Sequence, residues 1–479
     1  MEKLFGADGI RGKVDQYPFR SEDLIRLGHC LAAWWLDLSS SPTVLLGTDT
    51  REASQRMKTA LVEGLARGGV EVLDGDVLPT AAVSNLVAHM QDVCGGIVIT
   101  ASHNPILEDG IKIFDQNGCK LNDGEEAELE MLFFNLNSHL PYMNRPAQPR
   151  SIPDASKQYA TALVHEFGAI KKYPYRLLVD CANGASYRVA QLLFSELDLR
   201  AIYLNVSPDG TNINRNAGSE YVRRHPGRLF DEMLRHKADL GLALDGDADR
   251  VVIIDRQGHF YDGDMLLAVL AFYMQEQKIL QGNTVVITQM SNTGLAHHLH
   301  KNGIQTDQVQ NGDKYITDRL LEQGYNLGGE QIGHLIIQAD SRRVTGDGLH
   351  TALWILTALA QHPGVLLNEL TRGLRKWPQV NISVGLGDRI FHPAPNIPNL
   401  EALKEKVRQQ VRDLSRFECR PASTEPVYRI MLEAEHTPIE QLTEHACSLA
   451  KHVQKELHKL DEPIEILDCV NGGLINQSA

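Results

Sequence analysis

Three times along the chain an apolar run breaks off at a small polar turn, and no other feature restricts the fold as much. The sharpest instance is Gly95-Gly-Ile-Val-Ile-Thr-Ala-Ser-His-Asn-Pro105. Ile97, Val98 and Ile99 form a continuous apolar strand, the pattern expected when helices cover both faces of a sheet. Thr100 to Asn104 then place hydroxyl, amide and imidazole groups where the strand ends, and Pro105 blocks its continuation. The second instance runs from Leu177-Leu-Val-Asp180 through a helix at Arg188 to Glu196 and Asp239 to Leu244 into Asp245-Gly-Asp-Ala-Asp-Arg250. The third runs from Val285-Val-Ile-Thr288 through a helix holding His297, His298 and His300 to Leu327-Gly-Gly-Glu-Gln-Ile-Gly-His334. These histidines lack metal-ligand spacing partners and read as surface or packing residues.

This recurrence predicts an α/β protein: three related α/β domains with mixed sheets, each lending one loop to a shared central cleft. Beyond Pro378 the plan changes to a helix from Leu400 to Leu414, a strand from Tyr428 and a helix from Ile439 to Leu457, a smaller C-terminal α+β domain. Pro-rich stretches and turns place the boundaries at 1–148, 149–254, 255–370 and 371–479, and Phe391 to Pro398 reads as a surface loop. A length of 479 residues is enough for several such cores. The net charge of -14 argues against nucleic acid as the main partner. Seven scattered cysteines without a C-x-x-C signal neither a disulfide framework nor a zinc site. No signal segment or membrane-length apolar run is present, so a cytoplasmic protein is expected.

The acidic run Asp245-Gly-Asp-Ala-Asp249 carries the strongest chemical signal, because alternate side chains of an extended segment converge on one face and can hold a hard cation such as Mg²⁺. A calcium EF-hand is excluded, since its sixth and twelfth positions would be Arg250 and Arg256. A solvated acidic turn is the alternative. Ser102 and His103 lack a G-x-S-x-G elbow, which disfavours a hydrolase. A phosphoryl carrier fits better: Ser102 beside the metal held by Asp245, Asp247 and Asp249, with Lys112 as proton donor or acceptor. Arg11, in the glycine-rich Phe5-Gly-Ala-Asp-Gly-Ile-Arg-Gly12, suits a phosphate. Glu330, Gln331 and His334 suit sugar hydroxyls, and Lys314 adds a cation. Arg420, Ser423 and Thr424, with Arg429, form a candidate phosphate cradle.

Taken in order, Phe5 to Gly12, Thr100 to Pro105 with Asp109-Gly-Ile-Lys112, Asp245 to Arg250, Gly329 to His334 and Arg420 to Pro426 resemble the motifs of the α-D-phosphohexomutase family. The resemblance implies a four-domain enzyme with a catalytic set of Ser102, Arg11, His103 and Lys112. Phosphorylated Ser102 would give its phosphoryl group to a phosphosugar and regain another from the 1,6-bisphosphate. It implies one Mg²⁺ on Asp245, Asp247, Asp249 and the serine phosphate, a hexose or hexosamine 1,6-bisphosphate activator, and a homodimer. Glucosamine 6-phosphate is the implied substrate, with glucose or mannose phosphates, or a phosphosugar binder without turnover, as alternatives. The chain departs from the family where Ile332 replaces a usual Ser, Ala422-Ser-Thr424 replaces Ser-Gly-Thr, Ala7 replaces Thr and Asp109 replaces Asn.

Overall fold

A computed structural model describes residues 3–6, 8–135, 148–170, 174–338, 343–387, 395–422 and 426–475. Among the described residues four sheets follow one another along the chain. The first is ordered Phe5–Gly6, Gly9–Lys13, Glu108–Phe114, Gly95–Ile99, Thr43–Thr48, Glu71–Val77, Arg150–Ser151. The second runs Phe260–Tyr261, Val251–Asp255, Leu240–Leu244, Arg176–Asp180, Arg200–Leu204, and the third Gln305–Val309, Thr284–Thr288, Leu327–Gly329, Leu335–Ile337. The fourth is antiparallel throughout: Leu414–Pro421, Val427–Ala434, Gln379–Gly385, Ile464–Asp468, covered by the helix Ile439–Glu456.

The first three sheets share a device that periodicity does not reveal. In each, a strand paired in parallel to a neighbour turns back on itself as an antiparallel hairpin: Gly95–Ile99 into Glu108–Phe114, Leu240–Leu244 into Val251–Asp255, and Leu327–Gly329 into Leu335–Ile337. Each polar motif is therefore a hairpin tip, and a tip tethered by two strands is held more firmly than a free connection. Backbone hydrogen bonds tie the tips to neighbouring units: Thr80 N donates to Asp247 O at 3.0 Å, and Val251 N to Gly333 O at 3.0 Å. One continuous apolar core runs through all three units, while a second fills the opposite face of the first sheet. The helix Gly263–Glu276 is apolar all round, with 11 of its 14 residues buried, because it lies inside that shared core.

Two expectations change. The turn after Ile254 lies inside the second sheet, since Val251–Asp255 pairs onward with Phe260–Tyr261. The helix expected to reach Leu414 is Leu400–Gln410, and Leu414 instead opens a strand. The helix ends at Gln410 with Val411 as its C-cap, Asp413 then accepts from His436 N and Thr437 N at 2.7 and 2.9 Å, and Leu414, Phe417 and Cys419 pack on the core of the fourth unit. His298 meets Thr371 O at 3.0 Å and lies edge-on to Phe272, and His300 meets the Thr306 hydroxyl at 2.9 Å, so they serve packing. Part of the stretch from Phe391 lies outside the described residues. No helix among those described is long and apolar enough to cross a membrane.

Candidate active site

Ser102 sits at the first hairpin tip, fully buried and left-handed at φ 52°. Such a backbone is strained for a residue other than glycine, so its surroundings must hold it. Thr100 Oγ1 accepts from Ser102 N at 2.9 Å and donates to Asp49 Oδ2 at 2.8 Å. Asn214 Nδ2 donates to Ser102 O at 2.7 Å. A Cβ on Gly246 would fall 2.4 Å from that same carbonyl, so only glycine lets the acidic loop come this close.

The chief brace is Arg51, which is 1% exposed. Its guanidinium donates to the carbonyls of Asn104, Pro105 and Glu108 at 2.8, 2.7 and 3.1 Å, to Ser102 O at 3.3 Å, and to Asp49 Oδ2 at 3.0 Å. Five N–H groups in a rigid fork suit this work, whereas an ammonium does not. Sequence reading passed over Asp49 and Arg51, although two opposite charges closing an apolar strand were a usable signal.

Ser54 beside this pair links it to Asp109. Its Oγ lies 3.0 Å from both Asp49 Oδ1 and Asp109 Oδ2, and with one hydroxyl proton to donate it can serve only one of them, so a proton on Asp109 completes the chain. Burial, then the Asp49 charge, push Asp109 up to about 7. The unfolded carboxyl releases its proton near pH 4, so the contribution of Asp109 to stability falls as pH rises from about 4 through 7 and then levels off. Asp109→Asn keeps the donor toward Ser54 and removes that loss. Urea unfolding is expected to show the variant gaining stability with pH, up to roughly 4 kcal/mol above pH 7, and no gain near pH 4. An equal difference at both pH values would contradict the protonated state.

The second tip brings three buried carboxylates against Ser102. One oxygen from each of Asp245, Asp247 and Asp249 lies within 4.8 Å of the others, and Ser102 Oγ donates to Asp245 Oδ2 at 2.6 Å. Lys112 Nζ reaches Asp247 Oδ2 at 2.8 Å and Asp249 Oδ2 at 2.7 Å, and Thr80 donates to Asp247. Burial alone would lower Lys112, but Asp247, Asp249 and Asp8 hold it well above the usual lysine range, so it is an ammonium. Burial, then Asp249 and Asp247, push Asp245 well up, whereas Asp249, which burial would also raise, is held low by Lys112 and His334. Asp247 Oδ1 and Asp249 Oδ1 are buried with no hydrogen-bond partner among the described residues. Buried acidic oxygens left without a hydrogen bond are costly unless a cation meets them closely, and this all-oxygen donor set fits a small hard divalent ion.

His103 Nδ1 lies 3.4 Å from Ser102 Oγ and accepts from Arg250 Nη1 at 2.9 Å. Burial, then Arg250, lower its pKa to about 3, so the imidazole is neutral. Arg11 donates to Thr100 O at 3.0 Å and pairs with Asp8, another residue that sequence reading left without a role.

Above these groups opens a cavity of about 270 Å³, walled by Asp8, Asp249, Arg250, Asn311, Gly312, Asp313, Glu330, Ile332, His334, Arg420, Ala422 and Arg429. Four side chains expected around the sugar and distal phosphate therefore meet here: Glu330, His334, Arg420 and Arg429. Burial raises Glu330, while Asp249, Asp313 and Glu330 raise His334 against its burial. Two expected residues stand elsewhere. Gln331 turns away between Glu330 and Ile332 and donates to Asp264 Oδ2 and Gln379 Oε1 at 3.1 and 2.8 Å. Lys314 pairs with Asp123 and Glu126, bridging its helix to the first unit. Both brace interfaces rather than line the cavity. Ser423 and Thr424 lie outside the described residues.

Sequence models described as Phosphoglucomutase/phosphomannomutase, alpha/beta/alpha domains I, II and III match residues 2–139, 157–258 and 262–376. The chain belongs to this phosphohexomutase family. Phosphoglucosamine mutase of Geotalea uraniireducens is 36% identical over 460 residues, covering 95% of this chain and 99% of that protein. Phosphoglucosamine mutase of Pelobacter propionicus is 37% identical over 463 residues, with 95% and 99% covered. Among solved structures, a phosphoglucomutase/phosphomannomutase family protein from Burkholderia thailandensis matches at TM-score 0.73 and 22% identity, covering 94% of this chain and 97% of that one. Aspergillus fumigatus N-acetylphosphoglucosamine mutase, in complex with GlcNAc-6P and magnesium, matches at TM-score 0.61 and 16% identity, with 95% and 96% covered. These structural likenesses concern the fold, which is α/β in three units with a fourth α+β unit.

Proposed function

We propose that this chain is a phosphosugar mutase that interconverts glucosamine 6-phosphate and glucosamine 1-phosphate, carrying the phosphoryl group on Ser102. The observation that carries this reading is the Ser102 hydroxyl at 2.6 Å from Asp245, inside a set of three buried carboxylates. Asp245, Asp247 and Asp249, with the phosphate on Ser102, would hold Mg²⁺, which when bound neutralises charge on the transferring group. Phosphorylated Ser102 loses its O–P bond as sugar O1 gains one, giving the 1,6-bisphosphate, and the O1 proton is balanced by one taken up at the serine oxygen. The sugar then presents its other phosphate, the reverse transfer restores phosphorylated Ser102, and the 1-phosphate leaves.

Lys112, held as an ammonium, acts as a proton donor and a positive charge beside the reacting oxygens, while Arg11 adds a guanidinium anchored by Asp8 and Thr100 O. Neutral His103 keeps Arg250 aimed across the cavity floor. Glu330 accepts from sugar hydroxyls, His334 donates, and Arg420 and Arg429 take the phosphate that is not being transferred. A 1,6-bisphosphate serves as activator, and the same reading carries a cytoplasmic location and a homodimer.

Ile332 removes one hydroxyl from the sugar wall, a loss of about 1 kcal/mol per neutral hydrogen bond. Because Glu330 and His334 remain, glucosamine 6-phosphate is expected to turn over about tenfold faster than glucose or mannose 6-phosphate at equal low concentration. Parallel assays with Mg²⁺ and a 1,6-bisphosphate read this directly. Inert glucosamine 6-phosphate alongside a turned-over hexose phosphate would overturn the substrate assignment.

A further inference from the structure

Six ionisable side chains from three units close into a ring under the cavity. Asp249 Oδ2 meets Lys112 at 2.7 Å, Lys112 meets Asp8 Oδ2 at 3.3 Å, and Asp8 Oδ1 meets Lys120. Lys120 meets Asp313 Oδ2, which lies 3.4 Å from His334 Nε2, and His334 Nδ1 returns to Asp249 Oδ1 at 3.6 Å. Lys112 and His334 belong to motifs already read, but Lys120 belongs to none. It spans the gap between the phosphoserine unit and the sugar-loop unit, with its side chain 12% exposed.

The backbone of Lys120 is held fast. It bridges to Phe114, the last residue of the strand that carries Lys112. The turn between them is closed by Asp115, which accepts from Asn117 N and Cys119 N at 2.9 and 2.8 Å. Asp313 is equally fixed, as the first residue of the helix Asp313–Gln323. The ammonium therefore joins two rigid points, one behind Arg11 and Lys112 and the other behind His334. Without it Asp8 would keep Arg11 and Lys112, and Asp313 would keep His334, but no cation would join the two carboxylates across the units.

We propose that Lys120 is a positioning residue that sets the sugar-binding loop in register with the phosphoserine loop, so that the sugar oxygen, rather than water, meets the phosphoryl group. This rests on the mutase reading above. The test uses the full-length enzyme, Mg²⁺ and whichever 6-phosphate it turns over, with two readouts. The first is kcat and KM for the mutase reaction. The second is the slow loss of phosphate from phosphorylated Ser102 to water, followed by intact mass without sugar.

For Lys120→Met we expect kcat/KM to fall about 10–100-fold, in the range of a lost positioning contact, while phosphoserine hydrolysis stays within about twofold of wild type. Lys120→Arg should recover most of the loss. Asp313→Asn should add little to Lys120→Met, because the two act as one contact. A kcat/KM within about threefold of wild type for Lys120→Met, hydrolysis falling in parallel with transfer, no recovery by arginine, or full additivity with Asp313→Asn would each overturn the proposal. Failure of the wild type to take up phosphate on Ser102 would instead strike the mutase reading, so the two failures are distinguishable.

Discussion

Ser102→Ala is expected to lower mutase turnover by on the order of 10⁵-fold, the scale seen when a covalent carrier is deleted and only binding remains. The substitution removes a hydroxyl that donates to Asp245 at 2.6 Å and stands 3.4 Å from His103 Nδ1. Thr100, Arg51 and Asn214 still hold the backbone of residue 102, because all three act on its amide or carbonyl. Unfolding should register only the loss of one buried hydrogen bond, about 1–3 kcal/mol. Steady-state kinetics and a urea titration on the same sample separate the two effects. Residual turnover above a thousandth of wild type would mean that phosphate reaches the sugar without Ser102.

Arg51→Met should be the most damaging change away from the reacting groups. It leaves the Asp49 carboxylate buried without its cation and removes donors from four carbonyls around the serine loop. Breaking a buried pair from one side costs about 3–5 kcal/mol, and the loop then loses the support for its left-handed serine. We expect a lower urea midpoint together with loss of phosphate uptake on Ser102. Arg51→Lys should rescue little, since three rotatable donors cannot reproduce a planar fork. A methionine variant that unfolds and labels like the wild type would show that the serine loop needs no such brace.

The sequence made the reacting groups legible because chemistry confined them to short runs. Asp245, Asp247 and Asp249 alternate on one loop, and Ser102 ends an apolar strand, so local pattern sufficed. Residues that act between units were harder to find. Lys314 was the expected cation of the sugar side, yet it pairs with Asp123 and Glu126, while Lys120, in an unremarkable Gly-Cys-Lys-Leu stretch, holds Asp8 and Asp313. Nothing local distinguishes the two lysines, because each takes partners far along the chain: Lys314 pairs with Asp123 and Glu126 of the first unit, and Lys120 with Asp8 of its own unit and Asp313 of the third. Gln331 illustrates a finer limit. In a tight tip successive side chains face opposite ways, so Glu330 and Ile332 line the cavity while Gln331 between them joins Asp264 and Gln379.

The fold shows the same division. Strand positions followed from apolar runs, and the change of plan in the last unit followed from its helix and strand spacing. The three hairpins escaped, because nothing in the sequence of Glu108–Phe114, Val251–Asp255 and Leu335–Ile337 marks the direction in which they pair until their antiparallel registers are seen. That geometry explains why the tips can carry reactive groups at all. Each is clamped by two buried strands, and the strain at Ser102 is spread over hydrogen bonds from Thr100, Arg51 and Asn214.

The most direct test of the account follows one phosphorus atom. Enzyme carrying labelled phosphate on Ser102 is mixed with excess unlabelled glucosamine 6-phosphate and Mg²⁺, then quenched within a single turnover. The account predicts that label leaves the protein and appears on the sugar, first in the 1,6-bisphosphate and then in glucosamine 1-phosphate. Label that stays on the protein while product forms, or that leaves only as inorganic phosphate, would contradict it.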